Sequence, residues 1–107
     1  VCLIKPQFEC GSEISRKYKG IILNKNVHKS VLNNIIYNFK ENGFYIDNLT
    51  YSPVCGGDGN IEYLGYFRKN NSHYNYNIEK IIDNSFKTLR KVEKKVKNAW
   101  FFFYFAI

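Results

Sequence analysis

At 107 residues the chain has room for one small domain or part of a larger one, and 16 basic against nine acidic residues give it a net charge of +7. That charge admits nucleic-acid partners, yet lysine, asparagine, isoleucine and tyrosine are abundant together, a bias that A/T-rich coding produces without selection for binding. Three cysteines without CxxC spacing, and no signal-peptide pattern, exclude a disulfide framework and predict reduced thiols in the cytoplasm.

Val1 to Ile4 is an apolar run with no preceding turn, read as the end of a strand buried on both faces. The chain has no methionine, so Val1 is not an ordinary translation start, and a domain cut open at its N-terminal side is expected. Pro6 holds Lys5 extended, so the strand should run through Lys5 and then break. Residues 9–26 mix glycines and charges without periodicity and read as a loop. From Val27 the pattern changes: Val27, Val31, Leu32, Ile35, Ile36 and Phe39 form one apolar stripe, predicting a helix over 27–42. Asn26 is its expected N-cap and Gly43 its stop. "FYIDNLTYS" and "IEYLGYF" read as strands around 44–50 and 61–67. A second helix begins near Ile78, with Ile82, Leu89, Val92 and Val96 at helical spacing. Strands joined through a helix should run parallel, and strands joined by a short loop antiparallel. The strand at 61–67 is therefore expected between the other two, in a mixed α/β sheet that looks like the closing half of a larger one.

The segment "SPVCGGDGNIEYL", residues 52–64, concentrates turn chemistry and ends by delivering Glu62 onto the last strand. A plain hairpin connection with an incidental glutamate is the simpler reading of that segment by itself. Between Lys87 and Lys97 stand six basic residues against one acid, Glu93, either a solvated helix face or a phosphate-facing one. His28 suits a structural place near the helix start better than a base. Cys10, Cys55 and His28 would need a tertiary coincidence to bind zinc, and no metal is expected.

Taken together, "LIKPQFE" (3–9), "KGIILNKNVH" (19–28) and "SPVCGGDGNIEYL" resemble the hemolysin A-type (TlyA) family, ribosomal RNA 2'-O-methyltransferases related to the FtsJ-like enzymes. The resemblance covers about residues 1–91; the basic then apolar tail, 92–107, matches nothing expected of the family. It implies the C-terminal half of a Rossmann-like, S-adenosylmethionine-dependent methyltransferase domain, with an antiparallel strand in a mixed sheet. It also implies a Lys-Asp-Lys-Glu catalytic tetrad whose third member falls on Lys5 and fourth on Glu62. The first lysine, the aspartate, the main cofactor loop and the N-terminal RNA-binding domain would lie upstream. Gln7 and Asn60 are candidates for contacting substrate or shaping the loops. The family loop usually reads Gly-Pro-Glu-Gly; "CGGDG" stands here, which predicts a looser loop.

A ribose 2'-hydroxyl is a poor nucleophile at neutral pH, so a base must take its proton or nearby cations must favour the alkoxide. A lysine becomes such a base when burial or neighbouring positive charge favours its neutral form. In this reading Lys5 activates or positions the hydroxyl, and Glu62 orients and balances the lysines. Ribosomal RNA or a ribosomal subunit is the expected partner. Two other classes fit the charge or the name: a non-catalytic basic RNA-binding module, and a membrane-active hemolysin-like protein. The register of Lys5 with Glu62 argues against the first. Against the second, "AWFFFYFAI" has nine apolar residues where a spanning helix needs about 20, so membrane contact is not expected.

Overall fold

Pro6 does more than end the first strand. In the computed structural model, which describes residues 1–71 and 73–89, strand β1 (Cys2–Ile4) stops one residue earlier than the sequence suggests, and Pro6 opens a short helix, α1 (Pro6–Glu9). Proline suits that first position, since its φ is already helical and its missing N–H would have no partner there. Lys5 keeps the extended backbone expected of a residue before proline, and its carbonyl accepts from the amides of Phe8 and Glu9. A second helix, α2 (Ser12–Lys17), follows where a loop was expected. It buries no residue, which is why no apolar stripe announces it.

Helix α3 (Lys25–Glu41) starts two residues before the predicted bound and is capped by Asn24 rather than Asn26. The Asn24 side chain accepts from the Asn26 amide at 2.9 Å, so Asn26 already lies in the first turn. The apolar stripe begins only at Val27, and the polar turn ahead of it carries no periodic signal. At the other end Gly43 has φ +83°, which an L side chain rarely adopts. Its amide bonds to the Lys40 carbonyl and that of Phe44 to the Phe39 carbonyl, while the Phe39 and Phe44 rings meet edge to face 6.3 Å apart. That is a complete Schellman stop with its hydrophobic contact.

Strands β2 (Tyr45–Tyr51) and β3 (Tyr63–Arg68) complete a three-stranded sheet of order β1-β3-β2. β3 runs antiparallel to both neighbours, so β1 and β2 point the same way on either side of it, as the connection lengths require. The described sheet is thus antiparallel in every pairing, and the parallel relation is one of direction alone. The opposite edge of β1 has no partner strand among the described residues. Residues 78–89 form a further helix, α4, tied to α3 at the surface by Lys25–Asp83 and Lys29–Glu79 ion pairs. Val92, Val96, most of the basic run and the 92–107 tail lie outside the described residues.

The core gathers Ile4 from β1, Val31 and Leu32 from α3, Ile46 and Leu49 from β2, Tyr63 from β3, and Ile82 and Leu89 from α4. Each such side chain contributes about 1.5–3 kcal/mol by leaving water. This packing fixes the end of the sheet where β1 gives way to α1 and β3 emerges from its loop.

Candidate active site

The loop between β2 and β3 is closed by its own backbone. Ser52 donates to the Glu62 carbonyl at 2.8 Å, Gly56 to the Asn60 carbonyl at 2.9 Å, and Gly59 to the Gly56 carbonyl at 2.9 Å. Gly59 turns the chain with φ +90°, the conformation that demands a glycine there. Asp58 then clasps Asn60 twice, accepting from its backbone amide and from its side-chain nitrogen. The loop lacks the family's proline but not internal bracing.

Asn60 is buried and carries that bracing outward. Its Oδ1 accepts from the Ile22 amide at 2.9 Å and its Nδ2 donates to the Gly20 carbonyl at 2.7 Å, besides donating to Asp58. Both side-chain protons are therefore engaged within the fold, and Asn60 joins the 52–62 loop to the segment before α3.

Glu62 precedes β3 by one residue rather than lying within it, and it is 8% exposed. The β1–β3 ladder ends on the pair Ile4–Tyr63, and Lys5 and Glu62 are the next residues along each chain, at the carboxyl end of β1. The two residues thus share one end of the sheet. No ion pair joins them among the described residues. The half-buried Lys5 lies instead with its Nζ 5.5 Å from the centre of the exposed Phe8 ring. The carboxylate finds a different partner: Gln7 Nε2 donates to Glu62 Oε2 at 2.9 Å, inside the protein. Gly56 makes room for it. A Cβ at Gly56 would stand 2.8 Å from Glu62 Oε2, closer than nonbonded atoms tolerate.

Behind the site, His28 is fully buried. Its Nε2 lies 2.8 Å from the Ile22 carbonyl, which can only accept, so that nitrogen carries a proton. Its Nδ1 meets the Tyr63 hydroxyl at 2.8 Å, and Tyr63 in turn lies 3.3 Å from Ser85 Oγ. Burial pushes the Tyr63 phenol up to about 12, a rise that the Ser85 bond partly offsets. His28 is a structural group packed under β3. Cys10, Cys55 and His28 form no metal-holding group among the described residues.

Sequence reasoning reached Lys5 and Glu62 but not the Gln7–Glu62 bond or the role of Gly56. The paired glycines at 56 and 57 read only as turn chemistry. The space above Gly56 is filled by Glu62, so Gly56 cradles no cofactor, while the space above Gly57 is open.

A family profile for FtsJ-like methyltransferases matches residues 1–69. The chain belongs to that family. YqxC of Bacillus subtilis (strain 168), named as a candidate rRNA methyltransferase, is 37% identical over 101 residues, covering 89% of this chain and 35% of the relative. The 23S rRNA (cytidine-2'-O)-methyltransferase TlyA of Campylobacter jejuni is 31% identical over 70 residues, covering 65% of this chain and 28% of the relative. Among solved structures, a candidate hemolysin from Streptococcus thermophilus superposes with a TM-score of 0.73 at 32% identity, covering 86% of this chain and 34% of its own. The resemblance to the TlyA-type branch is thus borne out, with "hemolysin" serving as a family label. The chain spans about a third of the length of these relatives. No helix among its described residues is long and apolar enough to cross a membrane.

Proposed function

We propose that this chain supplies the lysine–carboxylate end of the active site of an rRNA 2'-O-methyltransferase acting in the cytoplasm. The observation that carries the reading is the buried carboxylate of Glu62, held by Gln7 at the sheet end where β1 presents Lys5. Burying a carboxylate without a cation is unfavourable for folding, so its retention at a lysine-bearing strand end fits a group kept for chemistry.

Methyl transfer needs a methyl donor, which in this family is S-adenosylmethionine; its binding falls to parts of the full-length protein beyond the residues described here. What this chain contributes is on the acceptor side. Lys5 reaches the ribose hydroxyl, holds it by a charge-assisted hydrogen bond and favours the developing negative oxygen. For Glu62 to direct that ammonium, the Lys5 side chain must leave the Phe8 ring and turn towards the carboxylate. A fixed Glu62 limits the arrangements the lysine must search before reaction, which is worth more when the carboxylate itself cannot wander.

The test is methyl transfer to ribosomal RNA by the full-length protein, compared with its Lys5→Met and Glu62→Gln forms. Each substitution is expected to lower kcat at least about a hundredfold while RNA binding stays within about threefold. Full turnover in both variants would leave a basic RNA-binding module as the better description.

A further inference from the structure

Gln7 buries an amide for one visible purpose. Its side chain is 5% exposed, its Nε2 donates to Glu62 Oε2 at 2.9 Å, and its Oε1 has no hydrogen-bond partner among the described residues. The amide cannot simply be turned over. Turning it would set Oε1 against a carboxylate oxygen, two acceptors face to face. The fold therefore accepts an orphaned buried acceptor in order to point the donor at Glu62. An apolar side chain of the same length would fill the position without that cost.

The local architecture is built to the same end. Pro6 starts the turn that carries Gln7 back from the strand end, and the Lys5 carbonyl anchors that turn through two amides. The absent Cβ of Gly56 leaves a slot that the same Oε2 fills. Glu62 is thus bonded by Gln7 and seated against Gly56, two positions far apart in the chain.

We infer that Gln7 is a positioning residue, which acts on the reaction by holding the Glu62 carboxylate in its working place and not by touching substrate or by stabilising the loop. The inference rests on the proposed role of Glu62, and its experiments separate the two. In the full-length protein, Gln7→Met keeps the volume and removes the donor. It should lower kcat about 10- to 100-fold with the KM for RNA and for S-adenosylmethionine within about twofold. The deciding measurement is the double-mutant cycle. If Gln7 works through Glu62, adding Gln7→Met to a Glu62→Gln protein costs less than about twofold further. A second loss as large as the first, or an unchanged kcat in Gln7→Met alone, overturns the inference while leaving the role of Glu62 intact.

Should the wild-type protein prove inactive, the proposed function fails, and NMR of the Gln7 side-chain amide then tests the part of the inference that stands without it, the hold of Gln7 on the Glu62 carboxylate. Its two Nε2 protons should be widely separated in chemical shift in the wild-type chain, and the separation should shrink in Glu62→Ala. Identical amide signals in both chains overturn it.

Discussion

Replacing Gly56 with alanine should disable the site while barely touching the loop that carries it. The new Cβ would stand 2.8 Å from Glu62 Oε2 and 3.3 Å from Glu62 Cδ, and 3.4 Å from Asp58 Oδ1, so the carboxylate is what must move. A side-chain end yields more easily than backbone, so the loop itself should hold. Moving the carboxylate breaks its bond from Gln7, and a buried hydrogen bond to a charged group contributes about 1.5–3 kcal/mol. Against this, alanine narrows the unfolded ensemble by about 0.4–1 kcal/mol, since Gly56 does not use a left-handed backbone. The expected net loss is about 1–2 kcal/mol in urea unfolding, with kcat reduced about tenfold or more. Gly57 is the internal control. It has nothing within 4 Å of an added Cβ and an ordinary φ, so Gly57→Ala should be neutral to slightly stabilising and fully active. Equal behaviour of the two variants would refute the reasoning that Gly56 is there to seat Glu62.

Three further outcomes are expected. The Tyr63 phenol, raised by burial from its ordinary value of about 10, should ionise near 12; the protonated form favours the fold, so stability should be complete below pH 10 and decline as pH rises towards 12. Ultraviolet titration checks this, and a single phenolate transition near pH 10 in the folded protein would contradict it. Gly43→Ala should cost about 1–2 kcal/mol in thermal or urea unfolding, because φ +83° at the α3 stop burdens any Cβ; an unchanged midpoint would show that the stop relaxes freely. The 107-residue chain alone should neither bind S-adenosylmethionine in calorimetric titration nor methylate ribosomal RNA, since the cofactor loop and two of the four catalytic groups that the TlyA-type resemblance implies are not among its residues; binding or turnover by the isolated chain would refute this.

The longer elements were legible because burial writes a period into sequence. The α3 stripe and the β-branched and aromatic runs of β2 and β3 each declared their type, and connection length then ordered the strands. Helices α1 and α2 were not legible: one has four residues, the other buries nothing, and neither needs a stripe. Lys5 and Glu62 were found through their motifs, whereas local spacing could not reveal that Gln7 meets Glu62 across 55 positions. That bond exists only because β1 and β3 become neighbours. Sequence also suggested Lys5 and Glu62 at one sheet edge, within direct or water-bridged reach; desolvating two charges is costly, and the structure gives the carboxylate a neutral donor and sets the Lys5 Nζ 5.5 Å from the centre of the Phe8 ring.

The central place of β3 sets an order of assembly. Tyr51 and Tyr63, paired between β2 and β3, are 12 residues apart, whereas Ile4 and Tyr63, paired between β1 and β3, are 59 apart. Closing the longer loop costs about 1.4 kcal/mol more in chain entropy, so the β2–β3 hairpin forms early and β1 docks onto a sheet already made. Lys5 and Gln7 arrive with β1. Until that late step Glu62 sits on a formed hairpin without its amide donor, and the sheet end that buries its carboxylate is not yet assembled.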